Sequence, residues 1–393
     1  MAKLSGRLQQ LRAMREAQNK AKQRDQEAGQ VEPTLARIDA DTAPAPWQGW
    51  TELAPYVWFR SEYFPYPEEQ RTVEGLLLDD PAILEILVFY DFETTGLSGG
   101  AGTVLFLAGF GQLEGDQLRI DQLLLADYPG EAEFMRQVVG YLSDEKLYVS
   151  YNGKGFDRHV LLNRLRLHGY RSTDMRRQLD LLYPVRKIWG KVLERCNLGS
   201  IEEHVLNINR EADIPGALIP DCYQEFLRSG SSECMQRVVS HHLQDVETLA
   251  RLLFFIEGLA TRSGLLPNSH ARAGIGQILL SKGDMRGLSI LEDELLQGNE
   301  SAGRALVLHY KRLRMLSELR SALAGMLAIR PGYFQVVETA KLLEHVDKKP
   351  QAALDLIGTL AGRRAVLTGA QFKALLYRRR RLERKVTSAA EKE

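Results

Sequence analysis

Apolar and polar positions along the chain fall into three regimes. Residues 1–30 place Leu4, Leu8, Leu11 and Met14 three or four apart among charged residues, which predicts an isolated amphipathic helical arm with a narrow apolar stripe. Pro33, Pro44 and Pro46 then mark a linker, so the folded body is expected to begin near Trp50. From residue 86 the runs "ILVFYDFE", "GTVLFLAGFGQ" and "LRIDQLLLADY", parted by Gly-bearing turns such as "LEGDQ", predict three adjacent strands in an antiparallel meander. "EAEFMRQVVGYLSD" has helical periodicity, "KLYVSYNG" reads as a short buried strand, and "FDRHVLLNRLRLHG" is helical again with Gly169 as its stop. The order βββαβα implies an α/β fold with a mixed sheet flanked by helices. "CMQRVVSHHLQDVETLARLLFFIEGLA" predicts one long helix ending near residue 260.

Beyond Pro267 the strand signals vanish. Helix-pair segments starting at 278, 308 and 342 recur at offsets near the period of about 34 residues typical of tetratricopeptide repeats. The full repeat consensus is missing, so the expectation is an all-α helical-hairpin region, with an irregular bundle as the alternative. The chain thus divides into an arm and linker (1–49), an α/β domain (50–262), a helical repeat-like region (263–370) and a basic C-terminal tail (371–393).

Composition narrows the class. With 393 residues and 44% apolar residues the chain can build a large core. The longest apolar runs, such as "VLFLAGF", fall far short of the roughly 20 residues of a membrane span, and the N-terminus lacks the apolar core of a signal peptide. Cys196, Cys222 and Cys234 show no C-x-x-C pair, which predicts neither a structural zinc nor a disulfide frame and favours the cytoplasm. Net charge is zero, yet seven Lys or Arg face three acids over residues 1–30 and eight face three over residues 371–393. Basic ends around an acidic body suit a protein whose ends meet a polyanion while its body holds cations. Solvated helix faces would have the same composition.

Three short pieces carry candidate chemistry. In "DFETTGL" the carboxylates of Asp91 and Glu93 stand at i and i+2 of a strand and share a face, so both can reach one hard cation. In "YNGKGFD" a strand ends in a turn and Asp157 opens a helix, where it could equally be a cap. In "HHLQDV" His241 and Asp245 lie one helical turn apart. Each piece alone is unremarkable.

In this order, and on this strand pattern, the three pieces resemble the motifs of the DEDD exonuclease superfamily, built on the ribonuclease H-like fold. The resemblance extends to the bacterial YprB-like branch, in which such a domain precedes a tetratricopeptide-like region. "LDLLYPVRKIW" and "READIPGALIPDCYQEFL" look like its intervening segments. It implies a 3′–5′ exonuclease with two divalent cations, Mg²⁺ or Mn²⁺, holding the attacking water and the leaving oxygen of a phosphodiester. By similarity, Asp91 would bridge the ions, Glu93 and Asp245 would complete one site, and Asp157 would serve the other. The general base departs from the pattern. The superfamily's histidine subgroup has its His five residues before the last Asp, where this chain has Ser240, and the tyrosine subgroup has Tyr four before, where it has His241. His241 is favoured as base over His242, because residue 241 lies one turn above Asp245 and residue 242 is rotated away by about 100°.

By the same resemblance Thr94, Thr95 and Leu97 would touch the terminal nucleotide, while Asn152 and Lys154 could contact sugar or phosphate. "LSGGAG" lacks the G-K-[ST] ending of a nucleotide-triphosphate loop. Asp180 and Asp221 are assigned structural roles. "YRRRRLERK" at 377–385, with six cations and a Tyr, suits a phosphate backbone. The expected partner is nucleic acid, DNA or RNA, with a possible protein partner for the helical region. The competing readings are a non-catalytic binding scaffold and a structure-selective endonuclease on the same fold.

Overall fold

The computed structural model describes residues 49–96, 102–170, 175–210, 213–362 and 367–390. The N-terminal arm and Leu97 lie outside these residues. The core is a seven-stranded sheet of β1 (Thr51–Ala54), β2 (Val57–Pro65), β3 (Leu87–Thr94), β4 (Leu105–Glu114), β5 (Gln117–Leu125), β6 (Leu147–Ser150) and β7 (Gln178–Asp180), in the order β1-β2-β5-β4-β3-β6-β7. β3, β4 and β5 form the expected antiparallel meander, and β6 joins β3 in parallel, with Phe89 opposite Val149.

β1, β2 and β7 extend this sheet beyond the strands expected from the sequence. β2 is fully buried only at Val57 and Trp58, so its apolar alternation is faint, and it is held by register with β5 from Val57↔Leu125 to Pro65↔Gln117. β7 has three residues, too few to show a period, and exists through pairing with β6.

Alternation along β3 divides two layers. Val88, Tyr90 and Phe92 pack with Phe134, Met135 and Val138 of α1 (Glu131–Val139) and with Leu161 and Leu165 of α2 (Asp157–Leu167). The opposite face, with Leu87 and Phe89, packs with Val185 and Ile188 of α3 (Leu182–Trp189) and with Leu249 and Leu253. α4 (Ile219–Ser229) turns sharply into the 30-residue α5 (Glu233–Arg262), which supplies Leu249 and Leu253. Cys222 of α4 and Cys234 of α5 form a disulfide, with Cα atoms 5.5 Å apart. This corrects the expectation of no disulfide and removes the cysteines as an argument for a reducing compartment. The pairing arises from the reversal between two helices, which cysteine spacing does not reveal.

α5 seats on the sheet through a close approach. A methyl group on Gly109 would meet His242 Cε1 at 2.5 Å and Val246 Cγ2 at 2.8 Å, and one on Gly111 would meet Val246 Cγ1 at 3.1 Å. Further along α5, the fully buried Glu257 accepts backbone N–H groups from Glu74, Gly75, Leu76, Leu77 and Leu78, tying the segment before β3 to the helix.

The remainder is all-α. Three helical hairpins follow: α6 (Ser269–Ser281) with α7 (Arg286–Leu296), α8 (Glu300–Leu313) with α9 (Leu316–Ile329), and α10 (Tyr333–His345) with α11 (Pro350–Ala361). Asn268 and Asn299 cap the first helix of successive hairpins by accepting two backbone N–H groups each. α12 (Gly369–Ala390) contains most of the basic segment and buries Leu375 and Leu382 against α10 and α11. Arg378, Arg381 and Lys385 converge on Glu344 of α10, whose side chain is fully buried. Burial alone would raise that carboxyl; Lys385 and Arg381 hold it below its ordinary value. Among the described residues no helix is long and apolar enough to cross a membrane.

Gly109→Ala is expected to destabilise the protein by about 1–3 kcal/mol, because the added methyl meets a buried ring and a buried Val. Chemical denaturation measures this; an unchanged unfolding midpoint would mean that α5 can slide away at no cost.

Candidate metal centre

Leu87, Phe89, Asp91 and Glu93 share one face of β3, so the apolar alternation that seats the strand also aims both carboxylates toward α5. The ladder slips between Glu93 and Thr94, a bulge that ends regular pairing at the second carboxylate. Asp91 is paired across the sheet with Gly109, the residue on which α5 rests.

α5 presents two adjacent histidines with opposite fates. His242 is fully buried; its Nδ1 lies 2.9 Å from Gln122 Nε2 and its Nε2 lies 3.0 Å from the carbonyl oxygen of Asp91. An amide nitrogen can only donate, so Nδ1 accepts and Nε2–H donates to Asp91. Burial pushes its pKa down to about 4, and the ring is a neutral wedge between helix and sheet. His241 points the other way. Its Nε2 lies 3.3 Å from Asp245 Oδ2, and its Nδ1 lies 2.6 Å from Asp213 Oδ1.

Glu93, His241 and Asp245 each offer a ligand atom, and the three atoms lie within 4.8 Å of one another. Asp91 belongs to the same electrostatic cluster. Burial, then Asp245, Glu93 and Asp157, raise its carboxyl well above the ordinary range, while burial, Asp245 and Asp157 do the same to Glu93. Burial also raises Asp245, against the pull of His241 and Arg210.

Asp157 comes from the parallel side of the sheet. β6 ends at Ser150, and the turn that follows is clamped by Asp180 at the end of β7. Asp180 accepts from the backbone N–H groups of Asn152 at 2.8 Å, Lys154 at 3.3 Å and Leu182 at 3.0 Å. Asn152 takes the left-handed conformation there, at φ 64°. The clamp carries the chain to Asp157, whose carboxyl is pushed up to about 7 by burial and then by Asp180. Asp91, Glu93, Asp157 and Asp180 thus gather at the carboxyl ends of β3, β6 and β7.

The remaining candidate residues are placed as follows. Thr94 Oγ1 donates to the carbonyl of Gly96, and Thr95 Oγ1 accepts from Val104 N, so both hydroxyls brace the turn after β3. Asn152 and Lys154 have exposed side chains on the turn before Asp157.

Arg210 escaped the sequence reading. It forms a fork on the buried Glu202, with Nε to Oε2 at 2.5 Å and Nη2 to Oε1 at 2.8 Å. It also pairs with Asp245 through Nη2, and its Nη1 lies 2.8 Å from His241 Nδ1. Glu202 in turn accepts from Thr248 of α5 at 2.5 Å. This cation stands beside the acids and limits their repulsion. It is 35 residues from Asp245, and nothing local in "NREADIP" marks it.

The donor set is carboxylate oxygen with one imidazole beside it, partly open to solvent, and carries more negative charge than Arg210 offsets. Such a set fits hard divalent cations of the Mg²⁺ or Mn²⁺ kind. The geometry, an acidic cluster across the carboxyl ends of a mixed sheet and closed by a C-terminal helix, is that of a ribonuclease H-like domain. Residues 88–255 match the family model described as the RNase_H superfamily, whose members are generally nucleases. The chain is also 29% identical, over 316 residues, to the uncharacterized protein YprB of Bacillus subtilis (strain 168), covering 77% of this chain and 75% of that protein.

Since the carboxyl of Asp157 holds its proton up to about pH 7 in the absence of a cation, cation and proton compete for it. Affinity for Mn²⁺ is expected to rise with pH through about 7, by up to tenfold per pH unit for each proton displaced, and the rise should lessen in Asp157→Asn. Calorimetry in buffers of different ionisation enthalpy reads both affinity and proton release. A pH-independent affinity would take Asp157 out of the cation site.

Proposed function

We propose that the chain is a metal-dependent nuclease that hydrolyses phosphodiester bonds from the 3′ end of a nucleic-acid strand. The observation that carries this reading is the meeting of Glu93, His241 and Asp245 within 4.8 Å, beside Asp91 and Asp157. Two divalent cations bound to Asp91, Glu93, Asp157 and Asp245 would supply charge stabilisation at the scissile phosphate and activation of the attacking water. His241 then has the place of the general base. Its Nε2 faces Asp245; in the base form Nδ1–H donates to Asp213, which holds the ring and compensates the charge it gains with a proton, and Arg210 Nη1 then lies beside Nδ1 without a hydrogen bond to it. Arg210 keeps Asp245 and His241 in one arrangement by anchoring on Glu202.

Around this centre, Thr94, Thr95 and Leu97 would stand next to the terminal nucleotide, and Asn152 and Lys154 beside sugar or phosphate. α12 offers a second contact. Three of its cations are drawn to Glu344, whereas Lys373, Tyr377, Arg380 and Arg384 recur at helical spacing and are exposed. This stripe suits a phosphate backbone, and the three helical hairpins leave room for a protein partner.

Asp91→Asn and Asp245→Asn are expected to abolish cleavage of end-labelled DNA or RNA in Mn²⁺ with folding intact, and His241→Ala to lower turnover by about 10²- to 10⁴-fold. Near-normal cleavage by either Asn variant would sink the assignment. Products shortened one nucleotide at a time mark an exonuclease; internal cuts mark an endonuclease, and intact strands that remain bound mark a scaffold. Replacing Lys373, Arg380 and Arg384 together by Gln should lower the slope of log affinity against log salt by about 2 for a single strand. An unchanged slope would take α12 out of the interface.

A further inference from the structure

The segment that follows the Asp180 clamp is more than a connection. α3 buries Leu182, Val185, Ile188 and Trp189, and this choice of face turns Tyr183, Arg186 and Lys187 outward. Tyr183 is 60% exposed although it is a large aromatic residue on a well-packed helix. It stands three residues before Arg186, so ring and guanidinium share one face. The chain then leaves the helix at Gly190 and runs without regular structure to Asn197, with Lys191 and Arg195 exposed. Tyr151 Oη donates to the carbonyl of Cys196 at 2.6 Å, which fastens this stretch beside the turn that carries Asn152.

Between α3, this stretch and the Asn152 turn lies a groove of about 840 Å³, whose charged lining is Arg186, Lys191, Arg195 and the single acid Glu194. It runs into a second hollow of about 740 Å³, with which it shares Leu193, Glu194, Arg195 and Asn197, and that hollow ends at Arg210 and Asp213. The two hollows adjoin along this shared stretch, and together they reach from the turn before Asp157 to the residues that hold His241 and Asp245. Their charge is graded. The entrance carries three cations against one acid, and among the described residues none of the three makes a salt bridge. The far hollow gains Glu202, Glu203 and Asp213, the acid-rich surroundings of the metal centre. Unpaired cations beside an exposed aromatic ring form a surface that holds a polyanion and stacks a base.

We propose that these adjoining hollows form the binding track for a single strand of nucleic acid: Arg186, Lys191 and Arg195 take consecutive phosphates, and Tyr183 stacks a base at the entrance. The track rests on the nuclease reading only for the direction in which the strand travels; the binding itself is independent of cleavage. A single strand fits because a base must leave its partner to lie on Tyr183.

The test is binding by the full chain, in EDTA so that no strand is consumed, of fluorescein-labelled thymidine and uridine oligomers of about 20 nucleotides, read by anisotropy over a salt series. Replacing Arg186, Lys191 and Arg195 together by Gln should weaken binding at least tenfold at moderate salt and lower the salt slope by about 2, since each phosphate contact contributes about 0.7 for a single strand. Tyr183→Ala should weaken binding about 5- to 100-fold with the slope unchanged, the mark of a stacking rather than an ionic contact. Glu194→Gln should tighten binding, an effect that loss of folding cannot imitate. Wild-type affinity and slope in the triple variant, or no strand binding by the wild-type chain, would overturn the track. If the wild-type chain binds through these residues but cuts nothing in Mn²⁺, the track stands and the nuclease reading falls. If it cuts normally with the triple variant unaffected, the nuclease reading stands and the track falls.

Discussion

The contact between α5 and the sheet at Gly109 is the constraint on which the rest depends. A strand can hold two carboxylates at its end unaided, but a third group from a distant helix reaches them only if helix and strand approach closely. Gly109 and Gly111 remove the side chains that would keep α5 away, and His242 and Val246 fill the space they leave. The hydrogen bonds of His242 to Gln122 and to the carbonyl of Asp91 then fix the rotation of the helix. With that rotation set, the neighbouring His241 and Asp245 must face Glu93. The buried histidine sets the orientation of its half-buried neighbour.

Charge is handled by the same tactic in three places. Glu257 collects backbone N–H groups, Glu344 collects three cations of α12, and Glu202 holds Arg210 in a fork. In each case a buried carboxylate is fully engaged and joins segments remote in sequence, so its desolvation is offset by charge-assisted hydrogen bonds. The acids of the metal centre differ. Asp91, Glu93, Asp157 and Asp245 all have raised pKa values, first because they are buried, with neighbouring acids adding to the effect at Asp91 and Glu93 and Asp180 adding to it at Asp157. Burial without full compensation separates these acids from the three structural ones.

The helical region shows how tertiary packing redefines a compositional feature. The basic run at 377–385 reads as a tail, yet helical periodicity divides it: Leu382, like Leu375 before the run, enters a core, Arg378, Arg381 and Lys385 turn to Glu344, Arg379 pairs with Glu383 at the surface, and Arg380 and Arg384 are left outside. The last set is both exposed and without a salt bridge among the described residues, and so is the most open to a polyanion.

The sequence by itself determined the meander of β3, β4 and β5, the short buried strand β6, the long α5 and the helical hairpins, and it singled out the acids as candidates. Local periodicity encodes each of these elements, and Asp91 with Glu93, like His241 with Asp245, are close through the geometry of a single strand or helix. The tertiary structure decided what depends on pairing between remote segments. β1, β2 and β7 exist by virtue of their neighbours, and Cys222 meets Cys234 because two helices reverse. Which of His241 and His242 is buried against the sheet followed from which side of α5 met Gly109. Arg210, Glu202 and Asp213 could not be read locally, since a counter-charge has meaning only once the charges it balances have been brought together in space.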